Sequence, residues 1–269
     1  WGVTWRLSRT AVTVLVIVVL LGTGMFYGAY QLLQRIRPFA VGEHCLVTTP
    51  DGTLDLDLEQ AQIAATIAAV AARRKLPERA LQIAYATALQ ESKLANLPYG
   101  DRDSVGVFQQ RPSQGWGTVE QLLDPVYATR KFFAALEKVP NYQSMPLHEA
   151  AQAVQLSADG SAYAQHEKAA KILAAALSGR IPRAVHCWYP PPDEPVTPRP
   201  DEARRELIRA LGTDWAPKHG WLIATWYVTH AQKYGLREVR YDGVTWTAES
   251  GRDGWIEADG KAPRMVQIA

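Results

Sequence analysis

Cysteine is scarce: two residues in 269, Cys45 and Cys187, which excludes a small scaffold held together by a disulfide knot. Neither sign of charge dominates. The chain has 29 Lys and Arg against 27 Asp and Glu, a balance that does not point to a nucleic-acid partner captured by bulk charge. Glycine (19) and proline (17) are too few for a collagen-like or wholly disordered chain. Acidic residues are missing altogether from residues 1–37, which hold Arg6, Arg9, Arg35 and Arg37. The formal net charge is only +2, so the remainder is slightly acidic. What is present is 47% hydrophobic residues, enough for one large domain and a small one.

Residues 10–34 carry no charge, and their centre reads AVTVLVIVVLLGTGMFYGAY. As a helix this run would span about 37 Å, more than the ~30 Å hydrocarbon layer of a bilayer. Tyr27 and Tyr30 stand near its outer end, where amphipathic rings favour an interface. A cleaved signal peptide would have a shorter apolar region, and the small-residue site Ala40-Val41-Gly42 lies beyond two arginines. The reading is therefore an N-terminal transmembrane anchor at 1–37 with its span at about 10–34.

Residues 38–56 are mixed and polar and read as a tether. Asp57 and Gln60 have the spacing of a capping box. Leu58, Ala61, Ala65, Ala68 and Ala72 then repeat at helical spacing. Pro77 suits the start of a second helix running to about Lys93. Helical patterns return at 119–138, 146–158 and 162–178. Residues 189–200 are proline-rich and predict an extended linker. The tail, 201–269, predicts helices near 201–211 and 220–234. A hairpin follows from LREVRY, Asp242-Gly243 and VTWTA, with further strands in GWIEA and MVQIA. The expected fold class is mainly α: a transmembrane helix, a helical domain over 57–188 and a small α+β module at the end.

Chemistry concentrates in residues 81–118, LQIAYATALQESKLANLPYGDRDSVGVFQQRPSQGWGT. Glu91 closes an otherwise apolar helix. There the negative end of the helix dipole and burial both favour the protonated carboxyl that a general acid needs. Gly106-Val107-Phe108-Gln109-Gln110 supplies an apolar wall with amides, and Tyr99 and Trp116 offer flat faces for sugar rings.

These residues resemble the lysozyme-like lytic transglycosylase superfamily, which carries a Glu-Ser pair at a helix end followed by Gly-apolar-apolar-Gln. Here the motifs are Glu91-Ser92 and Gly106-Val107-Phe108-Gln109. A closer likeness is to a group of actinobacterial membrane-anchored proteins sharing YGDRDSVGVFQQRPSQGWGT (99–118), DPVYAT (124–129), AAQAVQLS (150–157) and AYAQHE (162–167). The resemblance covers roughly 45–187. It implies a helical lysozyme-like domain that cleaves the MurNAc-GlcNAc bond of peptidoglycan strands, with Glu91 as the single acid/base and no cofactor or metal. Ser92, Tyr99, Gln109 and Trp116 would contact substrate. Many relatives have Ala-Tyr-Asn in a later helix; the corresponding stretch here reads AQAVQLS, which puts Gln155 there and makes Tyr163 a substitute tyrosine. Asp101 and Asp103 are the candidates for a second carboxylate, as hydrolysis would require. A non-catalytic module that binds peptidoglycan and positions a wall or secretion complex is the alternative.

Cys45 and Cys187 each follow a histidine, His44 and His186. Adjacent ligands are poor zinc spacing, so a disulfide joining the ends of the domain is the expected arrangement. With the single span, this predicts a single-pass protein of the cytoplasmic membrane whose C-terminal domains are extracellular. Trp221, Trp226, Tyr227, Trp246 and Trp255 suggest a binding stripe, but a 70-residue module needs large rings for its core, and core is the reading adopted.

Overall fold

The computed structural model describes residues 42–155, 161–190, 196–213, 219–258 and 265–269. Residues 44–56, expected as tether, form a hairpin instead: β1 (His44–Thr49) runs antiparallel to β2 (Gly52–Leu56). Cys45, Val47 and Thr49 alternate into the core, the period-two pattern of a half-buried strand. β3 (Val185–Trp188) completes a sheet ordered β2-β1-β3 and sets Cys187 directly opposite Cys45. The two cysteines form a disulfide.

The helical layer is built around α1 (Leu58–Arg73). Its start is the capping box: Asp57 accepts the Gln60 backbone N–H at 2.8 Å, and the Gln60 side chain accepts that of Asp57 at 3.0 Å. Such a cap contributes about 1 kcal/mol. Ala61, Ala64, Ala65, Ala68, Ala69 and Ala71 are all buried, so α1 is covered on nearly every side and its small side chains let neighbours come close. α2 (Glu78–Ser92) follows Pro77 and ends at Lys93 and Leu94, both at positive φ. The expected helix over 119–138 is two: α3 (Val119–Leu122) and α4 (Pro125–Leu136). Pro125 has no N–H to continue a helix, and the Asp124 carboxylate accepts the Val126 N–H at 3.0 Å to start a new one. α5 (Leu147–Gln155), α6 (Ser161–Ala164) and α7 (Glu167–Leu177) follow. The pattern at 162–178 is thus broken by a turn at Gln165–His166.

In the tail, α8 (Pro200–Leu211) and α9 (Gly220–Tyr234) pack on α1. β4 (Glu238–Tyr241) and β5 (Val244–Thr247) meet at an Asp242-Gly243 turn with φ +52° and +78°, the geometry that favours this dipeptide. β6 (Ile256–Glu257) and β7 (Gln267–Ile268) complete the order β6-β5-β4-β7. Trp226 and Trp246 are fully buried, and Trp221 meets Tyr241 and Trp255 edge-on. These rings are core. The carbonyl of Arg209 near the end of α8 accepts from Arg73 at 3.0 Å and Arg130 at 2.8 Å, tying the tail to α1 and α4. Glu43–Ala269 forms one compact unit.

Two expectations are corrected. The chain is α+β rather than mainly α: about half is helical, and the described residues form two antiparallel sheets. The first sheet escapes a sequence reading because β3 reaches β1 only across 142 residues. Among the described residues no helix is long and apolar enough to cross a membrane. This conflicts with the expected single-pass placement in the cytoplasmic membrane. Residues 10–34, on which that expectation rested, lie outside the described residues.

His230 on α9 is 4% exposed and stacks on Trp226 with ring centroids 3.8 Å apart. Its Nδ1 donates to the Trp226 carbonyl at 2.8 Å. Burial pushes the imidazole down to about 3, with the Lys233 charge adding to the effect and the Trp226 carbonyl opposing it. The unfolded chain, with an ordinary histidine near 6.5, binds the proton first. Stability from this group is complete above pH 6.5 and is lost as pH falls toward 3. Thermal melting between pH 7 and 4 should therefore fall more steeply for the wild type than for His230→Phe. Equal slopes would remove His230 as a source of acid sensitivity.

Candidate active site

Glu91 is the last residue but one of α2 and is half-buried. The next residue locks the helix end in place. Ser92 is buried, and its hydroxyl lies 2.7 Å from the Val107 carbonyl and 3.1 Å from that of Ala88. This ties α2 to the loop carrying the Gly-Val-Phe-Gln motif. Val105 and Gln110 exchange backbone hydrogen bonds at 3.1 Å, closing that loop into a tight turn. Gly106 sits at φ +78°, and a Cβ there would come within 2.4 Å of the Leu122 carbonyl oxygen; the motif requires glycine at this position. Val107 and Phe108 point into the core, where Phe108 stacks on Phe132 at 4.4 Å.

Two later segments close on the same place. The Tyr163 hydroxyl, on α6, donates to Glu91 Oε1 at 2.6 Å, and Tyr163 is 2% exposed. Gln155, at the end of α5, donates to the Phe108 carbonyl at 2.7 Å. Ser92 and Gln155 thus hold two helices on one loop, and Tyr163 brings a third to Glu91 beside it. Gln109 is held within that loop: its amide donates to the carbonyls of Gly106 at 3.1 Å and Tyr99 at 3.3 Å. Its side-chain oxygen occupies the space a Cβ on Gly100 would need.

The two aspartates are placed differently. Asp103 accepts the Ser113 N–H at 2.8 Å and Arg111 Nε at 2.6 Å. The Ser113 N–H first, then the Ser113 hydroxyl and Arg111, hold its carboxyl well below the usual carboxylate range. It staples the loop. The Asp101 side chain is 93% exposed and lies 3.9 Å from the adjacent Arg102. Among the described residues neither is bonded to Glu91. Tyr99 is 69% exposed, available as a flat face. Trp116 is half-buried against the core, and its carbonyl accepts the Tyr127 hydroxyl at 3.3 Å.

Sequence reasoning missed a polar cluster beside Glu91. Gln90 Oε1 accepts from Gln165 Nε2 and is bonded to His166 Nε2, both at 3.1 Å. His166 is half-buried, and burial pushes its imidazole down. The available signal was adjacency: Gln90 precedes Glu91, and Gln165 and His166 follow Tyr163 closely. Among the described residues no group of three or more His, Cys, Asp or Glu could hold a metal ion. A cavity of about 430 Å³ lies at the opposite end of α2, lined by Ala68, Lys75, Leu76, Glu78, His219 and neighbours; none of the candidate residues lines it.

No protein-family model matches the chain, and no curated protein matches it.

Proposed function

We propose that the protein is a peptidoglycan-cleaving lytic transglycosylase or muramidase, lysozyme-like in its chemistry, acting on the MurNAc-GlcNAc bond with Glu91 as its single acid/base. The observation that carries this reading is the Tyr163 hydroxyl 2.6 Å from Glu91 Oε1, at a helix end braced through Ser92 onto the Val107 carbonyl. A half-buried carboxyl held in one orientation by a buried tyrosine can deliver a proton to a defined point.

Glu91 donates its proton to the glycosidic oxygen as the bond from that oxygen to MurNAc C1 breaks. The substrate acetamido group supports C1 as positive charge develops. Glu91, now a carboxylate, takes the proton of the C6 hydroxyl as O6 bonds to C1, giving a 1,6-anhydro sugar and restoring the acid. One carboxylate performs both proton transfers. Asp103 is engaged by Arg111 and Ser113, and Asp101 faces solvent, so the anhydro product is favoured over a hydrolytic one, which draws on a second carboxylate. Glycan strands of peptidoglycan are the proposed partner.

Mass spectrometry of purified peptidoglycan incubated with the protein tests this reading. Products ending in 1,6-anhydro-MurNAc are expected. Reducing ends would make it a hydrolase. Co-sedimentation with intact strands and no soluble product would favour the non-catalytic binding module. Asp101→Asn should keep turnover within about twofold of wild type, as surface changes away from the chemistry do. A large loss would bring Asp101 into the mechanism.

A further inference from the structure

α6 and the turn that follows it contact the end of α2 at two consecutive side chains. Tyr163 reaches Glu91; Gln165 and His166 reach Gln90. Gln90 Oε1 takes both bonds on one atom, and a carbonyl oxygen has two lone pairs, so its accepting capacity is used. With Oε1 as the shared acceptor, His166 contributes Nε2–H. Gln165 is itself fixed, because its amide also donates to the Ala162 carbonyl at 3.0 Å. His166 continues into α7, where its carbonyl accepts the Ala170 N–H at 2.8 Å. A three-point contact therefore joins two segments more than 70 residues apart.

We propose that Gln90 is a positioning residue: by accepting from Gln165 and His166 it seats the Tyr163 turn on α2 and so holds the Tyr163 hydroxyl on Glu91. The proposal rests on the reading of Glu91 as the acid/base for its catalytic consequence, and on geometry alone for the clamp. A misplacement of about 1 Å at a reacting group can cost up to about 10² in rate. The Tyr163 hydroxyl ties its own helix to α2 through Glu91, and the bonds at Gln90 pin the turn that follows it, beside the packing of α7 on α2. An acceptor at position 90 is what the arrangement requires; a donor is not.

The test uses the full chain with ¹³Cζ-labelled tyrosine, the Tyr163 resonance being assigned among 11 tyrosines by its loss in Tyr163→Phe. Gln90→Leu should move this resonance toward that of an unbonded tyrosine and lower kcat about tenfold or more with little change in KM. Gln90→Glu, which keeps acceptor oxygens, should return the resonance to its wild-type position. The double change Gln165→Ala with His166→Phe removes the donors instead and should reproduce the Gln90→Leu resonance, leaving α2 untouched if Gln90→Leu fails to fold. An unmoved Tyr163 resonance in folded Gln90→Leu or in the double variant overturns the proposal. If the resonance responds as expected but wild-type protein releases no muropeptide, the clamp stands and the enzymatic reading falls.

Discussion

Replacing Glu91 with glutamine is expected to cut muropeptide release by about 10²–10⁴-fold, the usual cost of removing a general acid or base. The variant should fold normally. Glutamine matches glutamate in shape and keeps an oxygen able to accept the Tyr163 hydroxyl, now 2.6 Å from Oε1. The Ser92 bridge to Val107 is untouched. What disappears is the proton that the leaving oxygen must receive. Both halves of the reaction use that one group, so no step is left with its catalyst, and the loss should appear in kcat more than in KM. Tight binding of strands by an inactive Glu91→Gln protein would fit the same picture. Wild-type turnover by this variant would place the chemistry elsewhere and remove the basis of the proposed function.

Local signals in the sequence are readable where neighbours along the chain determine the outcome. Asp57 and Gln60 form the capping box their spacing suggests, and Asp242-Gly243 makes the tight turn between β4 and β5. The Cys45–Cys187 disulfide, expected because adjacent His-Cys pairs are poor zinc spacing, is present. Where the outcome depends on distant partners, the sequence reading fails. His44–Thr49 looks like tether because its buried face is only Cys45, Val47 and Thr49, and its second partner strand arrives after the whole helical layer. Asp103 reads from the sequence as a possible catalytic carboxylate, and only the folded chain brings Arg111 and the Ser113 N–H onto its two oxygens. Gln90 carries no motif at all. Its meaning comes from Gln165 and His166, which approach it only in the folded chain. At the candidate site Glu91 and Ser92 stand out as a motif and Tyr163 through the resemblance; the Tyr163–Glu91 bond and the Ser92 bridge to Val107 depend on contacts that only the folded chain makes.

Removing the disulfide should be the most damaging change to stability. Cys45 and Cys187 face each other on β1 and β3, 142 residues apart, and both are fully buried. The loop they close contains α1 through α7 and every candidate site residue. In the folded protein the β1–β3 ladder also holds these ends together, so the bridge acts chiefly on the unfolded chain, whose freedom it restricts. The chain-entropy model gives up to about 5 kcal/mol for so long a loop, and losses from native bridges typically fall at about 2–5 kcal/mol. For a unit of this size each kcal/mol shifts melting by roughly 2–4 °C, so Cys45→Ala with Cys187→Ala should melt on the order of 10 °C lower. The effect should extend beyond the first sheet. Trp246 Nε1 donates to the Cys187 carbonyl at 3.0 Å, and Trp255 Nε1 donates to that of Val185 at 2.9 Å, so a loosened β3 loses its hold on the tail as well. Reductant added to native protein should act slowly, because both sulfurs are reached only when β1 and β3 open. Non-reducing digestion should yield one cross-linked pair containing Cys45 and Cys187. If both thiols alkylate at once in native, unreduced protein, or if the double alanine variant melts with the wild type, the bridge contributes nothing to holding the ends of the helical layer together.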